Sequence, residues 1–108
     1  MHLEELTDQV EAVSAIYARR HGIDRNPTWF LLKLQEEVGE LTQSYLRKTG
    51  QGRHKGKDAD ELEADFRSEL ADVLCQTLLL ARHHGIDLET AVEEKWLTWN
   101  PAHPRARL

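Results

Sequence analysis

Cysteine and proline are nearly absent from this 108-residue chain: it has one cysteine, Cys75, and three prolines, Pro27, Pro101 and Pro104. An intrachain disulfide is therefore excluded, and Cys75 lies in an apolar stretch where a buried thiol is the ordinary outcome. None of the prolines interrupts a long periodic segment. Valine and isoleucine are sparse and no stretch alternates with period two, which argues against strands. No unbroken apolar run is longer than Leu78–Ala81, far below the ~20 residues that a bilayer requires. Positive charge is also in deficit. Fourteen Lys and Arg against nineteen Asp and Glu leave a net charge of −5, a poor match to the phosphates of a nucleic-acid polymer. The start, Met1-His2-Leu3-Glu4-Glu5-Leu6, has no signal-peptide pattern. Together with the lone cysteine this predicts a cytoplasmic protein with no membrane partner.

What remains is 40% apolar and 31% charged, the composition of one small globular domain. Its periodicity is helical throughout. Leu3, Leu6, Val10, Val13 and Tyr17 mark a first helix, closed by the basic turn Arg19-Arg20-His21 and by Gly22. Asn26-Pro27 opens a second with an N-cap and a first-position proline, and its apolar stripe is Leu31, Leu34, Val38, Leu41 and Tyr45. Residues 49–58, with three glycines and the cations Arg53, Lys55 and Lys57, read as a loop. A third helix starts near Asp60, with Glu63 completing a capping pair. It carries Leu62, Phe66, Leu70, Val73, Thr77 and Leu80, and is apolar on nearly every side from Leu70 to Ala81, which predicts the most buried helix. A fourth, from Asp87 to Trp99 with Leu88, Val92, Trp96 and Trp99 inward, ends at Asn100-Pro101. The expectation is an all-α, four-helix-type bundle of antiparallel helices, at about 3–21, 27–48, 61–84 and 88–99, forming one domain over 1–100 with a tail at 101–108.

Residues 18–24, Ala-Arg-Arg-His-Gly-Ile-Asp, recur at 81–87 with one change. Duplication would explain this. So would shared helix-stop chemistry, in which a basic last turn, a glycine, an isoleucine folding back and an aspartate capping the next helix are each independently favoured. The flanking sequences do not match, which favours the stop signal.

The residues that carry chemistry are carboxylates. At 100° per residue, Glu37 and Glu40 border the apolar stripe of the second helix, while Glu36 points further out. On the third helix Glu69 and Asp72 lie within about 60° of each other, beside Phe66 and Val73. Each helix thus offers a carboxylate pair at i, i+3 on the edge of the core, and antiparallel packing lets the pairs face each other. Inward carboxylates repel and pay for desolvation. A hard divalent cation removes that cost, and an all-oxygen donor set favours Mg²⁺ or Mn²⁺. The competing reading is a solvated acidic face, which the position of Glu69 and Asp72 within the apolar third helix disfavours. No histidine follows an acid by three residues, so a di-iron bundle is excluded, and the histidines lack zinc-ligand spacing. There is no P-loop, nucleophile elbow or dinucleotide-binding glycine pattern.

Leu34-Gln-Glu-Glu-Val-Gly-Glu-Leu41, followed by Glu69-Leu-Ala-Asp-Val-Leu74, resembles the MazG-like branch of the all-α nucleoside triphosphate pyrophosphohydrolases, whose motif is Glu-Glu-x-x-Glu on one helix and Glu-x-x-Asp on the next. The resemblance spans about residues 27–100. It implies a bundle that assembles as a homodimer or homotetramer, and cleavage of a nucleotide substrate between its α and β phosphates. It makes Glu36, Glu37, Glu40, Glu69 and Asp72 the catalytic group. Glu37, Glu40, Glu69 and Asp72 are then the ligands of Mg²⁺, with Mn²⁺ as a substitute. Lys33, Arg53, Lys55, Lys95 and Asn100 are candidate substrate contacts, each also readable as an ordinary surface residue. Trp29, Tyr45, Trp96 and Trp99 are candidates for stacking on a base, and equally for the core or an interface. The basic segment between Glu40 and Glu69 is long for the family, and Lys95 and Asn100 stand further apart than its usual pair. Two other readings compete: a non-catalytic helical module docking a basic partner, and a sibling hydrolase acting on phosphoribosyl-ATP or on deoxyuridine or deoxycytidine nucleotides.

Overall fold

The structure, a computed structural model, describes residues 1–104, 106 and 107. It is all-α: helices α1 (Leu3–His21), α2 (Pro27–Lys48), α3 (Ala59–His83) and α4 (Leu88–Lys95) are followed by a 3₁₀ turn, Leu97–Trp99. No strand occurs among the described residues.

Local chemistry sets the helix ends. Asn26 caps α2, its side chain accepting the Trp29 N–H at 2.8 Å ahead of Pro27 in the first turn. The third helix begins earlier than its periodicity predicts. Asp58 and Glu61, not Asp60 and Glu63, form the capping box, each side chain accepting the other's backbone N–H. Both copies of the repeated heptapeptide stop a helix the same way. Gly22 and Gly85 adopt left-handed φ of 63° and 64°, and the N–H groups of Ile23 and Ile86 bond back to Ala18 and Ala81 at 2.9 Å. The copies differ in the role of their last residue: Asp87 caps α4, whereas α2 takes its cap from Asn26 rather than Asp24.

Helices α2 and α3 form an antiparallel hairpin that carries most of the packing. Near the loop, Tyr45 faces Phe66 with ring centroids 6.0 Å apart, and Lys48 pairs with Glu63 at 2.5 Å. At the far end, Phe30 stacks on His83 at 4.0 Å. Phe30, Leu78 and Leu79 are the fully buried large side chains. Helix α1 packs on the C-terminal half of α3, with Asp8 paired to Arg82 and Glu11 to His83.

The fourth helix is shorter than its periodicity predicts. It ends at Lys95, contributes no buried residue and packs chiefly on the 3₁₀ turn. Trp96 and Trp99, expected to point inward, are each 70% exposed. Helix α3 is likewise not buried all round, because Leu70 and Leu74 are half exposed. On α2 the buried stripe is Phe30, Glu37 and Ser44, while Leu31 and Val38 from the expected stripe are exposed and Tyr45 is half exposed beside Phe66. The Cα radius of gyration is 17.0 Å, against about 13 Å for a compact domain of this length. One chain thus leaves much of its apolar surface uncovered.

Candidate metal centre between the second and third helices

Glu37 and Glu40 stand one turn apart on α2, and Glu69 faces them from α3. One carboxylate oxygen from each lies within 4.8 Å of those of the other two. The antiparallel hairpin creates this convergence, since two helices with i, i+3 acids on facing edges bring the acids to one level. Glu37 is at the bottom, buried on the α2–α3 seam, while Glu69 is half-buried and Glu40 lies at the solvent edge. Asp72 is exposed and outside the close trio, yet near enough for its charge to act on both Glu37 and Glu69.

The electrostatics are those of a group short of positive charge. Burial, then the charges of Glu40 and Asp72, push the Glu37 carboxyl up to about 7. Burial raises Glu69 too, followed by the charges of Glu40 and Asp72 and by the close approach of the Glu40 carboxyl. Oε2 of Glu37 and Oε2 of Glu69 are buried with no hydrogen-bond partner among the described residues. Orphaned buried oxygens on neighbouring carboxylates cost free energy that a cation repays, and a set made only of oxygens suits a hard divalent ion.

The other expected residues are placed differently. Glu36 points outward and is bonded to Lys33 at 3.1 Å. Lys33 also lies 3.8 Å from Glu37, so its ammonium is engaged by carboxylates rather than standing free for a phosphate. Arg53 and Lys55 are exposed in the loop, Lys55 with a left-handed φ of 55°. Lys95 ends α4, and the Asn100 side chain accepts the Ala102 N–H at 3.1 Å in a local turn. Among the described residues, no hydrogen bond or ion pair joins Arg53, Lys55, Lys95 or Asn100 to the carboxylates. Two clefts lie elsewhere: one of about 410 Å³ between the start of α1, the end of α3 and the start of α4, and an apolar groove along α3 at Leu70, Val73 and Leu74. Neither is lined by the acidic group.

Two polar residues of the seam escaped the periodicity reading. Ser44 Oγ and Gln76 Oε1 are buried without a hydrogen-bond partner among the described residues. Ser44 follows Glu37, and Gln76 follows Glu69, by seven residues. Two helical turns return a side chain to the same face, so this spacing was the signal available.

Two antiparallel helices presenting facing carboxylates define an all-α protein with an acidic cluster on its central hairpin. Residues 25–97 match the family model of the MazG nucleotide pyrophosphohydrolase domain, and the chain belongs to that family. Its members hydrolyse nucleotide pyrophosphate bonds and in general depend on a divalent metal. No curated protein and no solved structure matches the chain. No helix among the described residues is long and apolar enough to cross a membrane.

Proposed function

We propose that the protein hydrolyses a nucleoside or deoxynucleoside triphosphate between its α and β phosphates, giving a monophosphate and pyrophosphate, with Mg²⁺ or Mn²⁺ held by Glu37, Glu40, Glu69 and Asp72. The observation that carries this reading is the convergence of three carboxylate oxygens from two helices within 4.8 Å, two of the carboxylates carrying a buried, unpartnered oxygen. A divalent ion in such a setting offsets charge on phosphoryl oxygens and lowers the pKa of an attacking water.

The chain's own residues supply the remaining elements. Glu37 anchors the floor of the site because it is fixed by packing on the seam. Glu40 and Asp72, at the solvent edge, leave one side open for the triphosphate. Glu36, turned outward one residue from the floor and bonded to Lys33, is the member of the group we assign to orienting the water. Removal of nucleotides from a cytoplasmic pool is the role that fits this chemistry.

Assembly belongs to the same reading. Leu31, Val38 and Tyr45 recur every seven residues on α2 and are exposed, as are Leu70 and Leu74 on α3. Such a face on a chain with so open a shape fits a homodimer or a homotetramer, with the α2–α3 hairpins in contact.

The deciding experiment is pyrophosphate release from a panel of common and modified nucleotides, phosphoribosyl-ATP and deoxyuridine and deoxycytidine triphosphates included, with Mg²⁺, Mn²⁺ and chelator. Metal-dependent release from one of them, abolished by Glu40→Gln, is the expected result. No release from any, with melting curves indifferent to metal, would favour a helical interaction module.

A further inference from the structure

Lys33 is the one cation, among the described residues, that forms an ion pair with the acidic group. Its Nζ lies 3.1 Å from Glu36 Oε2 and 3.8 Å from Glu37 Oε1. Its side chain is only 24% exposed. An ordinary surface lysine keeps its ammonium in water, because hydration outweighs a weak helical i, i+4 pair. Here the stem is largely covered and the ammonium lies within reach of both glutamates on α2.

The two oxygens of Glu37 are therefore unlike. Oε1 faces Lys33, whereas Oε2 is buried without a partner among the described residues. Glu40, Glu69 and Asp72 have no ion pair among the described residues. The positive charge thus enters from one flank and reaches only the outer oxygen of the floor carboxylate.

We propose that Lys33 is a built-in counter-ion and positioning residue of the carboxylate site. It holds Glu37 by its outer oxygen, leaves the inner one for a divalent ion, and weakens the binding of that ion by repulsion between like charges. The inference rests on the reading of Glu37, Glu40 and Glu69 as a cation site. Its consequence is a site of moderated affinity that releases its ion when no triphosphate bridges it.

The test is Mn²⁺ binding by the full chain without nucleotide, followed by calorimetry and by the metal-induced rise in Tm. Lys33→Gln keeps a polar side chain one atom shorter and removes the charge. It should bind Mn²⁺ about tenfold more tightly than the parent, the size expected for deleting one nearby like charge at a partly solvated site, and show a larger metal-induced rise in Tm. Lys33→Arg keeps the charge and should stay close to the parent. Equal or weaker binding by Lys33→Gln overturns the counter-ion role. Glu40→Gln separates the two claims. If it abolishes binding while Lys33→Gln leaves the affinity unchanged, only the role of Lys33 fails. If Glu40→Gln binds as well as the parent, the cation-site reading fails and the role of Lys33 with it.

Discussion

Arg25 grips Glu11 through two parallel hydrogen bonds of 2.8 Å, reaching from the connection after α1 back onto α1 itself. The same guanidinium bonds Ser14 at 3.1 Å, and the other side of Glu11 meets His83 at 3.0 Å, at the end of α3. His83 in turn stacks on Phe30. One carboxylate thereby ties α1, its following loop and the far end of the α2–α3 hairpin. Arg25→Ala should cost about 2 kcal/mol, between the values for exposed and buried pairs, since both side chains keep under a fifth of their surface in water. Urea unfolding measures it.

That pairing also gives acid stability a direction. The Arg25 guanidinium holds the Glu11 carboxyl at about 2, below its ordinary 4.5. A carboxylate with a lowered folded pKa stabilises the fold above its unfolded pKa and loses that contribution as pH falls. Stability should drop between pH 4.5 and about 2, and Glu11→Gln should flatten this part of the profile while lowering stability at neutral pH.

Glu37 works in the opposite sense. Its carboxyl is raised to about 7, so ionising it disfavours the folded chain. Without metal, the contribution of Glu37 to stability should fall as pH rises from about 4.5 to 7 and level off above that. Melting curves in chelator from pH 5.5 to 8 should show the decline. Glu37→Gln should remove much of it and raise Tm at pH 8. An unchanged slope in that variant would sink the assignment of Glu37 as the strained member of the group.

Metal should act through linkage. At a free Mg²⁺ concentration ten times Kd, binding adds about 1.4 kcal/mol, or several degrees in Tm for a domain of this size. Glu40→Gln and Asp72→Asn should each lose most of this rise and about 10²-fold in turnover. Their losses should not add, because the ligands act as one unit. Glu36→Gln should keep the metal-induced rise, because Glu36 points away from the shared group.

Self-association should depend on the exposed apolar face. Leu74→Glu puts a charge in the groove along α3 without touching the acidic residues. Light scattering at micromolar concentration should give a multiple of the chain mass for the parent and the monomer mass for this variant. A monomeric parent would contradict the assembly.

Helix number, the ends of α1 and α2 and the i, i+3 spacing of the acids were legible in the sequence because each follows from near neighbours, whereas the start of α3 and the end of α4 were misplaced. Caps need two or three residues, and i, i+3 pairs need one turn. Which stripe turns inward was less legible. Val38 and Tyr45 look like core, and Glu37 does not, yet the hairpin buries Glu37 and Ser44 and leaves Val38 and Tyr45 part-exposed. Apolarity marks every face that must leave water, whether against the same chain or against a partner, and a single sequence does not separate the two. Trp96 and Trp99 misled for the same reason: an apolar period in a segment too short to pack inward reads like a core helix. Arg53 and Lys55 had only residue type to support a role and Lys95 and Asn100 only the family resemblance, and among the described residues no hydrogen bond or ion pair ties them to the acids.

The contacts at the two ends of the hairpin bear on the acids between them. Tyr45 on Phe66 and Phe30 on His83 pin α2 to α3 at points fifteen residues apart along α2, or about 22 Å, and Glu37 and Glu40 lie inside that span. Sliding one helix past the other by a single turn, about 5.4 Å, would break both aromatic contacts at once. The hairpin therefore serves as a ruler fixed at both ends, and the spacing between acids on different helices is set by aromatic rings remote from them rather than by the acids themselves.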